Sequence, residues 1–349
     1  MTAQRQPAKI RPSKGAPYAR IMGVGGYRPV RVVPNEVILE HIDSSDEWIR
    51  SRSGIASRHW ASPDETVAEM SIAAAGKALA DAGITADDID GVIVATVSDL
   101  KQTPAVATEI AHRIGAGKPA AFNVSAGCAG FGYGLTLAKG MVVEGSATYV
   151  LVIGVERLSD LTDKEDRATA FLFGDGAGAV VVGPSDVPAI GPTVWGSEGD
   201  KSETIKQTVN WDRFRSGDVS QLPVDSRGEV KFPALTQEGQ AVFRWAVFEM
   251  AKVAQQALDA SGITADQLDA FIPHQANMRI IDSMIKALKL PEHVAVARDI
   301  ETTGNTSAAS IPLAMERLLA TGQAKSGDTA LVIGFGAGLV YAATVVTLP

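Results

Sequence analysis

Cys128 stands in the stretch NVSAGCAGFGYG, residues 123–134, and is the only cysteine among 349 residues. The strand-like AAFNV (120–124) leads into it, and the helical pattern AGFGYGLTLAKGMVVEG follows. A thiol at a helix start faces unpaired amides and the positive end of the dipole. These lower its pKa and can hold an oxyanion. Flanking Gly and Ala let a thioester approach closely. The plainer reading is a small buried packing thiol. His274, in PHQAN (273–277), directly follows the buried strand FIP, whereas the other four histidines stand in polar or helical contexts. Its plainer reading is a hydrogen-bonded core histidine. Asn305, in TTGNTSAAS (302–310), occupies a Gly/Thr/Ser turn before a helix, where an ordinary helix cap is the alternative. GFGAG (334–338) offers a further amide after a buried strand, or simply a hairpin.

The chain repeats itself, and the repeat says what must position these residues. ALADAGITADDID (78–90) and ALDASGITADQLD (257–269) share eight of thirteen positions, and YVLVIG (149–154) is echoed by TALVIG (329–334). A period near 180 residues means a duplicated domain rather than a solenoid. The expected units are an N-terminal half over 18–184 and a C-terminal half over 185–349. Each alternates strand and helix around a mainly parallel sheet. With Gly145 aligned on Gly322, Cys128 falls opposite Asn305, and His274 ends the strand matching 91–97. A pseudo-twofold would bring all three to one interface. Ser62, in SPDE (62–65), reads as the cap of a helix running to Gly83. Residues 1–17 read as a flexible tail, and 197–236 as a mobile surface insertion in the second half.

Composition bounds the rest. The chain is 46% hydrophobic and 21% charged, with net charge −8, which argues against general nucleic-acid binding. No apolar run of about 18 residues exists and the N-terminus lacks a signal-peptide core, so neither a membrane span nor export is expected. One cysteine excludes an intrachain disulfide, and no zinc pattern occurs. The expectation is a cytoplasmic protein without metal.

SAGCAGFGYG, PHQAN and GNTSAAS, with SSDEWIRSRSGI (44–55) and FGDGAGAVVVG (173–183), resemble the β-ketoacyl-acyl-carrier-protein synthase III family, actinobacterial type. The likeness covers residues 19–349. It implies a thiolase-like α/β fold with duplicated halves in five αβαβα layers. It implies a homodimer, and a condensing acyltransferase that starts fatty acid synthesis from an acyl-CoA primer and a malonyl-acyl carrier protein. Both are substrates and no cofactor is needed. In such an enzyme Cys128 carries the acyl group, while His274 and Asn305 serve the decarboxylation. The amides of Cys128 and Ala337 form the oxyanion hole. Trp48 and Arg167 resemble the pair around the CoA adenine, Arg52 the pyrophosphate contact, and Phe243 and Asn277 the tunnel lining. Gln275, Ala276, Asn277, Met278 and Arg279 resemble the carrier-protein contact, which Arg244 and Lys286 extend. SDLKQTP (98–104) resembles a segment capping the partner's acyl pocket. Thr103 there is smaller than the Phe of some relatives, which fits branched primers.

Rival readings are weaker. A biosynthetic thiolase needs a second active-site cysteine. A hydrolase elbow needs Gly where Ala126 stands. GVGGY (23–27) is not a dinucleotide fingerprint. A non-catalytic partner subunit would lack the cysteine. The alternative that stays open is a starter-unit ketosynthase or acyltransferase of secondary metabolism in the same family.

Overall fold

The computed structural model describes residues 10–217 and 222–349. Part of the expected tail (1–9) and of the expected insertion (218–221) lies outside the described residues. Buried runs of Val, Ile, Leu and Ala form the strands, as expected where helices cover both faces of a sheet. The first sheet contains β1 (Tyr18–Tyr27), β2 (Gly91–Ala95), β3 (Ala120–Val124), β4 (Val150–Arg157) and β5 (Asp175–Ser185). Its order is β1-β5-β4-β2-β3. The second contains β6 (Val194–Ser197), β7 (Ala270–Pro273), β8 (Ala295–Val296), β9 (Thr329–Gly336) and β10 (Val340–Thr347). Its order, β6-β10-β9-β7-β8, repeats the first strand for strand. In both sheets the last three strands of that order, β4-β2-β3 and β9-β7-β8, run parallel, and the other two are joined by antiparallel pairings.

The helices repeat in the same way. They are α1 (Val67–Ala82), α2 (Val106–Arg113) and α3 (Gly130–Glu144), then α4 (Gly239–Ser261), α5 (Met278–Leu288) and α6 (Ser310–Ala320). α3 and α6 each touch strands of both sheets and form the middle layer. α1 and α2 cover the outside of the first sheet, and α4 that of the second, with α5 packed on α4. The five layers are those expected.

The turns ahead of the two middle helices are short 3-10 segments, Gly127–Ala129 and Ser307–Ala309. Cys128 lies two residues before the start of α3, and Ala308 two residues before that of α6. Asn305 is therefore not the counterpart of Cys128, as the sequence alignment had it. α6 is four residues shorter than α3 (11 against 15), so matching the helix ends misplaces their starts. Gly154 of β4 lies against the Ala308 carbonyl, and Gly334 of β9 against the Cys128 carbonyl. A Cβ at Gly154 would collide with that carbonyl, and one at Gly334 would lie a tight 3.0 Å from the other.

Three local expectations change. α1 begins at Val67 and is capped by Thr66, whose hydroxyl accepts from Glu69 N at 3.2 Å. Ser62–Glu65 forms a separate turn instead, because the Glu65 carboxylate accepts from Ser62 N, Tyr27 OH and Val30 N. The tail is not loose throughout, since Ala16 N donates to Val142 O at 3.2 Å. The 197–236 segment carries a hairpin (Ile205–Gln207 with Leu235–Gln237) and a helix, Trp211–Ser216. There Trp211, Phe214 and Phe232 pack as a small aromatic cluster of their own.

Gly154→Ala is expected to cost about 1–3 kcal/mol or to prevent folding, because its Cβ has nowhere to go. Gly76→Ala in α1, where the added Cβ meets nothing within 4 Å, is expected to stabilise by about 0.5–1 kcal/mol. Denaturant unfolding of both variants checks the contrast.

Candidate active site

β7 ends at Pro273, and the next residue still pairs with β9, His274 N donating to Ile333 O at 2.7 Å. This fixes the backbone of His274 and buries its ring to 1% exposure. Phe335 packs edge-on against the ring, centroids 5.3 Å apart. Nδ1 lies 2.7 Å from the hydroxyl of Ser310, the first residue of α6. That hydroxyl oxygen already accepts from Gln275 N at 3.3 Å. Among the described hydrogen bonds, its own proton has one acceptor, His274 Nδ1. With that hydroxyl proton directed at Nδ1, Nε2 carries the proton of the neutral ring. Burial pushes the imidazole down to about 3, so the ring is neutral at ordinary pH.

Asn305 is held by both backbone groups. Its N donates to Leu172 O at 2.8 Å, and its O accepts from Gly174 N at 3.0 Å. Side-chain Oδ1 accepts from Ser307 N at 2.8 Å. The carbonyl end is thus spent, and Nδ2 is left as a donor. Ser307 holds a positive φ of 48°, rare for a residue other than glycine, at the head of the turn it opens.

Cys128 is half-buried and faces the same cavity. Its thiol is not lowered as the sequence led one to expect. Burial pushes it up, to about 12, and the nearby Glu156 adds to the rise. Hydrogen bonds from Ser307 and from its own amide pull the other way. The thiol is therefore protonated at rest. Gly336 passes so close that a Cβ there would lie 2.8 Å from Sγ. The next residue, Ala337, presents its amide beside Gly127, 3.3 Å from where a Cβ of that glycine would be. GFGAG closes the β9–β10 hairpin at the same time, as one of its two sequence readings expected.

Cys128, His274 and Asn305 line one cavity of about 1190 Å³. Trp48, Arg52, Phe243, Arg244, Ala276, Asn277, Arg279 and Ala337 line it too. Trp48 and Arg52 lie on the helix Asp46–Ser53, which Ser45 caps by accepting from Trp48 N. Arg52 and Arg167 lie over the Trp48 ring at 5.9 and 5.4 Å. Arg167 is outside the cavity wall. Arg279 lies 4.7 Å from the centroid of Phe243. Among the described residues, Arg52, Arg244 and Arg279 form no ion pair with a carboxylate, and all three are exposed. Lys286 is exposed on the last turn of α5. No group of three or more His, Cys, Asp or Glu among the described residues could hold a metal ion. No described helix is long and apolar enough to cross a membrane.

Some expected contacts sit elsewhere. Gln275 is completely buried and cannot meet a carrier protein. Its amide nitrogen donates to Pro273 O and Ala297 O, and its oxygen accepts from Ile300 N. Asn277 does line the cavity, and it also caps α5, accepting from Arg279 N at 2.9 Å and donating to Arg52 O at 2.9 Å. Met278 is half-buried against Gly54 and Arg298. Thr103 is exposed and lies outside the cavity of its own chain.

Sequence reasoning missed Ser307, Ser310 and Glu156. The two serines stand inside the quoted GNTSAAS, but nothing in the string says that their hydroxyls reach the site. Glu156 follows the repeated VLVIG run, and only the fold shows it turned inward.

Residues 122–199 and 258–348 match the family of 3-oxoacyl-acyl-carrier-protein synthase III and its C-terminal region, respectively. The chain is 84% identical over 342 residues to β-ketoacyl-acyl-carrier-protein synthase III 1 of Streptomyces coelicolor, covering 98% of this chain and all of the relative. It is 52% identical to the mycobacterial synthase III of Mycobacterium marinum, over 98% and 99%. The crystal structure of the priming β-ketosynthase from the R1128 polyketide pathway superposes with a TM-score of 0.91 at 45% identity, over 98% and 99%. The 3-oxoacyl-acyl-carrier-protein synthase III from Aquifex aeolicus gives 0.82 at 36%, over 94% and 99%. The strand-for-strand duplication and the cavity shared by Cys128, His274 and Asn305 thus belong with a known chemistry: the chain is a member of the 3-oxoacyl-acyl-carrier-protein synthase III family of condensing enzymes.

Proposed function

We propose that this condensing enzyme, which initiates fatty acid synthesis, works through an acyl-Cys128 intermediate, with His274 and Asn305 as the two donors for the second half-reaction. The observation that carries this reading is the orientation of those two side chains. Ser310 occupies Nδ1 of His274, and Ser307 N occupies Oδ1 of Asn305. Each therefore offers the cavity an N–H.

Cys128 Sγ attacks the carbonyl carbon of a short acyl-CoA. The oxygen gains negative charge between the amides of Cys128 and Ala337, and CoA leaves. Malonyl-acyl carrier protein follows. Its C–C bond to the carboxylate breaks, CO2 departs, and the electron pair forms an enolate whose oxygen accepts from His274 Nε2 and Asn305 Nδ2. The enolate carbon attacks acyl-Cys128, the S–C bond breaks, and 3-oxoacyl-acyl carrier protein leaves. No metal or organic cofactor has a part. Arg52, Arg244 and Arg279, free of carboxylate ion pairs among the described residues, favour a phosphate-bearing pantetheine and an acidic carrier on a protein of net charge −8. Trp48 and Arg167 suit a stacked adenine. Arg279 and the Ala276–Met278 edge of α5, with Lys286 beyond, form the carrier-facing side.

A cytoplasmic homodimer fits the same reading. The reduced single cysteine suits that compartment. β3 is an open-edge strand, half-exposed along its length, and it leads directly to the nucleophile. Across such an edge a second copy could bring its exposed Thr103 segment to this cavity, leaving space for branched primers. The two duplicated halves, 18–184 and 185–349, divide the work between nucleophile and donors.

Four outcomes are expected. Mass spectrometry after incubation with acetyl-CoA and isobutyryl-CoA should place the acyl group on Cys128 and nowhere in Cys128→Ala. Unacylated Cys128 with active product formation would sink the reading. His274→Ala and Asn305→Ala should still acylate but lose about 10²–10³-fold in discharge by malonyl-carrier protein. Arg279→Glu with Arg244→Glu should raise KM for the malonyl-carrier substrate about tenfold or more, with less effect on acylation. Malonyl decarboxylation by Cys128→Ala should show no inflection near the ordinary histidine pKa of about 6.5, because burial keeps His274 neutral and Asn305 does not titrate.

A further inference from the structure

Asn305 can serve an enolate only if its carboxamide faces one way. The oxygen and nitrogen of an amide exchange places when the group turns over, so one end must be held. The Ser307 amide holds Oδ1 at 2.8 Å. It reaches that oxygen from a left-handed backbone, with φ at 48° on a residue that carries a Cβ. Such a conformation is costly and persists only where the surroundings enforce it. The side chain of Ser307 is where that enforcement lies. Ser307 is 3% exposed, and its hydroxyl donates to Glu156 Oε1 at 3.1 Å.

Glu156 is the next-to-last residue of β4 and is fully buried. Neither half-reaction described above uses it. The Thr96 and Ser98 hydroxyls donate to its Oε2 at 3.2 and 2.5 Å. Val97 N is shared between the two oxygens, at 3.3 Å from Oε1 and 3.1 Å from Oε2. Four donors thus converge on one side chain, and a carboxylate is the group that only accepts. Three of the donors come from the segment after β2 in the first half. The fourth, Ser307, comes from the second half, so its hydrogen bond crosses the interface. Gly154 stands two residues before Glu156, on the same face of the strand, and lies against the Ala308 carbonyl. β4 therefore seats the turn twice, through the backbone at Ala308 and through a side chain at Ser307.

We propose that Glu156 is a positioning residue for the decarboxylation step. It anchors the Ser307 hydroxyl, keeps that backbone left-handed, and so turns the Ser307 amide onto Asn305 Oδ1, leaving Nδ2 toward the cavity. This rests on Asn305 being a donor to the enolate. No proton moves in the role: the carboxylate of one half fixes the orientation of an amide in the other.

The test is malonyl-carrier decarboxylation in Cys128→Ala protein, where effects on the thiol cannot enter. Adding Ser307→Ala, or Glu156→Gln, is expected to lower kcat about tenfold and to leave KM within about twofold, because the lost orientation matters only as charge develops. Glu156→Gln belongs with Ser307→Ala because the donors at Oε2 draw the amide oxygen there, and the NH2 then leaves the Ser307 proton without its acceptor. On top of Asn305→Ala, neither change should slow the reaction further by more than about twofold, since both act through that residue. A crystal structure of Ser307→Ala should show the amide of residue 307 away from Asn305 Oδ1. Full additivity with Asn305→Ala, or an unmoved amide with unchanged kcat, would overturn the proposal. Glu156→Gln carries the same cycle if Ser307→Ala does not fold. Asn305→Ala by itself separates the two levels. If it decarboxylates at the Cys128→Ala rate, the donor reading and the proposal fail together. If it is slow while Ser307→Ala is not, only the proposal fails.

Discussion

The turns that carry Cys128 and Ser307 rest directly on opposite sheets, and much of the site depends on that closeness. Gly154 and Gly334 hold equivalent places in β4 and β9. Each is covered by the backbone of the turn from the other half of the chain. With any side chain there, the turns would lift off the sheets. Cys128 would leave Gly336 and Ala337, and Ser307 would leave Glu156, two residues after Gly154. The duplicated halves are thus locked by backbone packing as well as by the ion pairs of Arg28 with Asp299 and Glu316. A small-residue interface of this kind has little room to adjust, because protein interiors are close-packed.

Desolvation then sets the protonation states. The site gathers a thiol, an imidazole and a carboxyl with no cation against any of them among the described residues, and each shifts toward its neutral form. The thiol moves up, the imidazole down and the carboxyl up. A helix start alone would have argued for a standing thiolate. Here burial outweighs it, since α3 begins only after an intervening turn and the nearest acid opposes the charge. The charged groups lie at the rim, where Arg52, Arg244 and Arg279 face solvent at the cavity mouth. Neutral chemistry inside and cations outside match a ligand whose reacting thioester is uncharged and whose handle carries phosphate.

What could be read from the sequence was what repeats or what carries a motif. The echo of ALADAGITADDID gave the duplication and hence the paired sheets. The three short strings around Cys128, His274 and Asn305 gave the residues of the cavity. The detailed alignment of the halves was not legible, because α3 and α6 differ in length and a match at one end misplaces the other. Gln275 failed for a related reason. Its neighbours Ala276 to Arg279 turn outward with α5, while its own amide ties three segments together inside. A string of five residues does not show where the chain passes from core to surface. Glu156 and the two serines depend on contacts across more than 30 residues of sequence, which no local pattern encodes.

The choice of donors follows from the same neutrality. An enolate oxygen is stabilised by N–H groups that keep their proton whatever the ambient pH, and by amides and rings that cannot turn away. Asn305 meets the first condition by having no titration at all. His274 meets it because burial keeps the ring in one neutral form. Both meet the second through serines, since the Ser307 amide fixes which end of Asn305 faces inward and the Ser310 hydroxyl fixes which nitrogen of His274 bears the hydrogen. A lysine or a charged histidine would supply a stronger donor. It would also add a buried cation to the carboxyl of Glu156, hold that carboxyl ionised, and leave less to distinguish the resting thiol from the attacking one. Neutral donors keep their protons through both half-reactions.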